Sequence, residues 1–226
     1  MIGVIIWSDE TWINDGPVNK IHVTRKVSLH MIFLQKVMEH CQRMKEHEEY
    51  ENTCIIDRYY KNNSWMFWGC FAGVQAGPSV FWQRNWNKMT GAGYRERILP
   101  EVVEFFRSSS GNSGTAMQFM HDNAPIHTAA VVKEYLGTHG IEPMAWPPFS
   151  PDLNPIENIW GLMKSYIHDR YGDSDEGRQR RRAEVQSLVQ EAWQECTSPE
   201  TLTKVSSGMH NRCLAVIRAN GGSIDH

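Results

Sequence analysis

Two short apolar runs set the strongest limit on how this chain can fold, because each delivers an aspartate. Residues Ile2 to Trp7 are β-branched and apolar and stop at the polar Ser8-Asp9-Glu10, and Ala116 to Met120 delivers His121-Asp122-Asn123 in the same way. Apolar runs of about 4–8 residues with polar ends read as buried strands. Buried strands with carboxylates at their C-terminal lips belong in an α/β sheet, where sites gather at that edge.

The rest of the chain fills in around these strands. Lys20 to Arg25 alternates enough for a second strand, and Leu29 to Glu49 sets Met31, Leu34, Met38 and Cys41 at helical spacing before a charged tail, so 28–50 reads as a helix or an inserted segment. Trp65 to Phe71 is a strand buried on both faces, and Ser79 to Gln83 pairs with it as a hairpin across Gly73 and Gly77-Pro78. Its tryptophans read as core packing rather than as a base-stacking platform. Tyr94 to Phe106 is one amphipathic helix with Ile98, Val102, Val103 and Phe106 on a single face, and Ser108 to Thr115 is a loop.

Pro125 opens a helix that Gly137 stops, and Ile141 to Trp146 is a further strand whose exit Pro147-Pro148 holds extended. Asn154-Pro155 starts a helix running through Trp160, Met163 and Ile167. After the charged break Asp173 to Arg182 comes a helix with Val185, Leu188, Val189, Ala192, Trp193 and Cys196 on one stripe. Ser198-Pro199-Glu200 then starts a last helix ending at Gly221-Gly222. Strands alternating with helices, then helices alone, predict an α/β fold: a mixed sheet flanked by helices and closed by C-terminal helices. The expected division is 1–170 as the main domain and 171–226 as a helical extension.

Composition narrows the class of function. At 226 residues with 41% hydrophobic side chains and nine Trp, the chain has ample material for a packed core. A formal net charge of −3 excludes a protein that holds nucleic acid by bulk charge alone, though not local basic patches. Five scattered Cys (Cys41, Cys54, Cys70, Cys196, Cys213), with no C-x-x-C pair, read as reduced thiols inside a cell. No apolar stretch is long enough for a membrane span and the opening run has no basic flank, so a soluble intracellular protein is expected.

Asp9, Asp122 and Glu157 are the residues that chemistry would use together. Each has a local alternative: a solvated turn carboxylate for Asp9, a turn or helix cap for Asp122, and a capping box Asn154-x-x-Glu157 for Glu157. Two carboxylates about 4 Å apart repel by roughly 4 kcal/mol at an effective dielectric near 20, so gathering three is unfavourable unless cations neutralise them. Hard divalent ions take such oxygen ligands, and a pair of them can clamp a scissile phosphate between an attacking and a leaving oxygen. With no evident Ser, His or Cys nucleophile beside them, three acids suit phosphoryl transfer by direct attack.

The residues also carry a resemblance. The segments Ile6-Trp-Ser-Asp-Glu-Thr11, Trp65-Met-Phe-Trp-Gly-Cys-Phe71, His121-Asp-Asn-Ala-Pro-Ile-His-Thr-Ala129 and Trp146-Pro-Pro-Phe-Ser-Pro-Asp-Leu-Asn-Pro-Ile-Glu-Asn-Ile-Trp160 resemble the mariner-type DDE transposase superfamily, the Ser-Pro-Asp-Leu-Asn-Pro-Ile-Glu block most specifically. The 34 residues between Asp122 and Glu157 match the interval of one large branch of it. The resemblance implies a ribonuclease H-like fold and two Mg²⁺ or Mn²⁺ ions held by Asp9, Asp122 and Glu157. It further implies cleavage and strand transfer of double-stranded DNA at transposon ends and target, and a nuclear location in a eukaryote.

Two departures accompany it. A helix-turn-helix region of the kind the family usually carries ahead of its first strand is expected to be absent, and Ser28 to His47 looks longer and more helical than the corresponding hairpin region. A metal-dependent nuclease without strand transfer, and an inactive DNA-binding relic, are the alternative functions. Among other candidates, His127 reads as a helix-surface histidine ahead of a DNA-phosphate contact or a support for a metal ligand, Asn123 as a cap or a support for Asp122, and Asp152 as a turn residue ahead of a substitute metal ligand. Arg178, Arg180, Arg181 and Arg182 form a basic cluster able to contact a DNA backbone or to start a solvated helix. The helices from 183 to 219 either pack on the core or form a homodimer surface.

Overall fold

The computed structural model describes residues 4–14, 64–110, 117–148, 150–171 and 181–220. The strand expected over Lys20 to Arg25, the 28–50 segment, most of the 108–115 loop, most of the 173–182 break with Arg178 and Arg180, and the glycines at 221–222 lie outside these residues.

Four strands form one mixed sheet in the order β3-β2-β1-β4: β1 (Val4–Asn14), β2 (Ser64–Ala72), β3 (Gln75–Phe81) and β4 (Met117–Met120). β2 runs antiparallel to both β1 and β3, and β4 runs parallel to β1. This is the expected α/β class with helices on both faces.

β1 does not end at Trp7. It continues to Asn14 because residues 8–14 keep pairing with β2, from Ser8 opposite Cys70 to Asn14 opposite Ser64. The parallel ladder with β4 does stop at Trp7 opposite Met120. Asp9 therefore sits within β1, just past the point where its parallel neighbour has left. The turn before β3 uses Gly73, which has a positive φ of 58°, whereas Gly77-Pro78 lies inside the edge strand, where a missing N–H is tolerated. The strand expected at Ile141 to Trp146 is reduced to one bridge between Phe119 and Pro143, since proline cannot extend a ladder.

Side-chain alternation along β1 and β2 sorts the core into two layers. Trp7, Ile13, Phe67 and Phe71 point to one face, packed by α4 (Ile156–Tyr171) and α5 (Arg182–Cys196). Ile6, Met66, Trp68 and Cys70 point to the other, packed by α1 (Gly91–Arg97), α2 (Leu99–Ser110) and α3 (Ala130–Thr138). On the first face Phe67, Trp160 and Trp193 stand with ring centroids 5.6–6.0 Å apart. Gly69 makes that closeness possible: a Cβ there would lie 2.8 Å from Trp193 and 3.1 Å from Trp160.

The apolar stripe of α5 (Val185, Val189, Ala192, Trp193, Cys196) is buried in this core, as is Leu202 of α6 (Pro199–Ser207), so these helices pack on the sheet. Three expected helices differ. The one at 94–106 breaks at Ile98, because Pro100 lacks the N–H that would bond the preceding turn. The last helix breaks at Gly208 into α6 and α7 (Met209–Arg218). Pro125 opens a turn rather than a helix, with the N–H groups of His127 and Thr128 both bonded to Ala124 O, and α3 starts only at Ala130. Among the described residues, no helix is long and apolar enough to cross a membrane.

Candidate active site

Asp9 points to the α4 face of the sheet, and Glu10, its neighbour, to the opposite face. On its own side Asp9 meets the start of α4. Asn154 is buried just before that helix and donates its amide to Asp9 Oδ2 at 3.1 Å and to Ser8 O at 3.4 Å. Its Oδ1 accepts from Ile156 N at 3.3 Å, capping the helix whose first turn carries Glu157. Asn154 thus ties the first acid to the element that bears the third. The capping-box alternative for Glu157 gave Asn154 a purely local role, and the structure adds a long-range one.

Asp122 leaves the end of β4 and is half exposed, with 49% of its side chain accessible. Two hydrogen bonds arrive at its Oδ1: from Ala124 N at 2.9 Å and from His127 Nδ1 at 2.6 Å. Ser8 Oγ, donating to Met120 O at 2.8 Å, fixes the end of β4 against β1. Asn123 does not support Asp122. Its amide reaches across to Trp146 O at 2.7 Å and holds the following extended segment.

His127 is not on a helix surface. It lies in the Ala124–Thr128 turn, 2% exposed, and its second nitrogen, Nε2, is 3.2 Å from Glu10 Oε1. Its ring stacks on His121, with centroids 5.0 Å apart and planes within 19°, and lies 4.6 Å from the ring of Tyr94. Sequence reasoning missed Glu10, Asn154 and this placement of His127. The available signals were faint: the period-2 alternation that sends Glu10 to the other face, and Pro125 as the opener of a turn rather than of a helix.

The electrostatics follow from the crowding of acids. Burial, then the charges of Glu10, Glu157 and Asp122, push the Asp9 carboxyl up to about 8, despite the opposing hydrogen bond from Glu10 N. The Asp122 carboxyl moves the other way, chiefly because His127 donates to it, with Ala124 N adding to the effect. Burial alone would lower His127, but its bonds to Asp122 and Glu10 outweigh that and lift it to about 10. Burial and the neighbouring His127 push His121 down to about 3, so it stacks there uncharged.

Asp9, Asp122 and Glu157 thus come to one end of the sheet from three elements, near enough for Asp9 to feel both others. Among the described residues, no three His, Cys, Asp or Glu side chains stand close enough together to hold a cation as they are. The donor set nevertheless fits hard divalent ions: oxygen ligands only, with the carboxyl of Asp9 raised first by burial and then by the negative charge around it. Of the basic cluster, Arg181 precedes α5 and its backbone N–H bonds Glu184 Oε2, while the Arg182 guanidinium lies 5.8 Å from the ring of Trp65.

Residues 89–177 match the DDE superfamily endonuclease family. The chain is 27% identical over 172 residues to the Tc3 transposase of Caenorhabditis elegans, covering 75% of this chain and 48% of that one. It is 30% identical over 157 residues to the Tc1 transposase of the same species, covering 69% and 52%. It therefore spans about half the length of the curated relatives it matches. Its fold resembles the Mos1 transposase catalytic domain solved with raltegravir and Mg (TM-score 0.60, 16% identity, 98% of this chain and 85% of that one). It also resembles the Mos1 mariner paired-end complex with Mn (TM-score 0.63, 17% identity, 98% and 56%).

Proposed function

We infer that this chain, which carries a DDE superfamily endonuclease domain of the mariner type in a ribonuclease H-like fold, is the catalytic domain of a transposase that cleaves DNA strands and transfers them to a target. The observation that supports this reading is the Asp9 carboxyl, raised first by its burial and then by negative charge that includes Glu157 and Asp122 from two other elements. Asp9, Asp122 and Glu157 are the residues that would hold Mg²⁺ or Mn²⁺, two ions being the expected number. Such ions, when bound, supply a polarised oxygen nucleophile and neutralise charge on the phosphorus centre.

The chain's own residues prepare that site. Asn154 orients Asp9 and anchors the start of α4, which sets where Glu157 stands. Ala124 N–H and His127 occupy Asp122 Oδ1, and Oδ2 accepts no hydrogen bond among the described residues, which suits it to a cation. The partner is double-stranded DNA, as transposon ends and as target, with Arg178, Arg180, Arg181 and Arg182 as a backbone contact. Mos1 relatives in paired-end and strand-transfer complexes support a homodimer as the working form. Residues 1–170 form the catalytic domain in this reading and 171–226 its helical extension, and in a eukaryotic cell the protein works in the nucleus.

The test is a joining assay with Mn²⁺: a labelled duplex with a recessed 3′-hydroxyl from the element's own end, and a supercoiled plasmid as target. Joined product that disappears in Asp122→Asn supports the reading. Nicking without joining favours a nuclease, and neither cutting nor Mn²⁺ binding by the wild-type protein favours a relic.

A further inference from the structure

We propose that His127 is a positioning residue of the DDE site, a strut that fixes Asp122 against β1 through a Glu10–His127–Asp122 bridge. The proposal rests on the metal-site reading above and deepens it. Three observations carry it. His127 is almost fully buried although it lies in a turn at the sheet edge, and both of its ring nitrogens are engaged by carboxylates, Nδ1 at 2.6 Å from Asp122 and Nε2 at 3.2 Å from Glu10. Its plane is set by packing against His121 and Tyr94, so the ring has little freedom to swing away. The two carboxylates belong to elements 112 residues or more apart, as the Ser8–Met120 bond between the same strands illustrates.

The physical consequence is a spacing. Glu10 is covalently next to Asp9 but faces the other side of the sheet, so a rigid imidazole between Glu10 and Asp122 fixes how far Asp122 can move from Asp9. Outer residues of this kind hold a ligand's free oxygen in place, and their removal commonly weakens metal affinity 10–100-fold. His127 contacts Asp122 at Oδ1 alone, so the strut and a cation at Oδ2 do not compete for one oxygen.

The experiment separates the two arms of the bridge by atom replacement. An Asn amide nitrogen falls near the position of His Nδ1, and a Gln amide nitrogen near Nε2. His127→Asn therefore keeps the donor to Asp122, and His127→Gln keeps the donor to Glu10. Mn²⁺ affinity is measured by calorimetric titration of the full chain for wild type, His127→Asn, His127→Gln, His127→Ala and Asp122→Asn, with melting curves in parallel. The proposal expects His127→Gln and His127→Ala to bind Mn²⁺ at least tenfold more weakly, and His127→Asn to stay within about threefold of wild type.

Equal affinities across the His127 series, with Asp122→Asn alone defective, would overturn the strut and leave the metal-site reading standing. Equal losses in Asn and Gln that track melting temperature would also overturn it, since that pattern marks a packing role only. If the wild-type protein binds no Mn²⁺, the metal-site reading and the strut fall together. Should His127→Ala fail to fold, the Asn and Gln pair still decides.

Discussion

Asn154 donates its side-chain amide to Asp9 Oδ2 at 3.1 Å across a sequence separation of 145 residues. The same side chain accepts the N–H of Ile156 at the start of α4. One buried amide therefore orients Asp9 and caps the helix that bears Glu157. Asn154→Ala would leave the Asp9 oxygen and the helix start unpaired together. Loss of a cap and of a buried hydrogen bond predicts destabilisation by about 2–3 kcal/mol, read from urea unfolding. Strand-transfer activity should fall further than in a cap variant far from the site, such as Ser198→Ala, whose hydroxyl accepts from Thr201 N and shares a hydrogen bond with Thr201 Oγ1.

A cation that binds the folded site and not the unfolded chain stabilises the fold. At Mn²⁺ concentrations about 100 times the dissociation constant the gain is roughly 2.7 kcal/mol, or about 5–10 °C in melting temperature for a domain of this size. Differential scanning calorimetry with and without Mn²⁺ should show that rise in the wild-type protein. It should be absent in Asp122→Asn and Glu157→Gln, and adding a chelator should reverse it.

Gly69 lies opposite Asp9 in the β1–β2 register and under the indoles of Trp193 and Trp160. Gly69→Ala must push α4 and α5 off the sheet, at a cost of about 1–3 kcal/mol from overpacking. Because α4 carries Glu157 in its first turn, the same shift should weaken Mn²⁺ binding although no ligand is altered. Gly137→Ala in α3, where an added methyl meets nothing within 4 Å, should leave both properties unchanged.

Much of this architecture was legible in the residues because it rests on periodicity. The apolar β2, the short β4, and the stripes of α4 and α5 all announce themselves by which positions are apolar, and Asp122 and Glu157 could be placed at element ends from those patterns, whereas Asp9, expected at a strand end, lies inside β1. What escaped depends on partners far along the chain. β1 runs past Trp7 because β2 keeps pairing with it, a fact invisible within residues 2–10. The continuous stripe of 94–106 hid the break that Pro100 enforces, and Gly208 divided a helix whose apolar pattern runs on. His127 looked like a surface residue because a helix was expected from Pro125. In the turn that forms instead, the ring swings inward onto Asp122 and Glu10.

The account depends on Asp9, Asp122 and Glu157 sharing their cations, and anomalous diffraction from crystals grown or soaked with Mn²⁺ tests this most directly. The expected result is anomalous density bounded by these three carboxylates, with Asp122 approaching through Oδ2 while His127 keeps Oδ1. Manganese bound elsewhere, or a Glu157 carboxylate turned away from an ion held by the two aspartates, would contradict it.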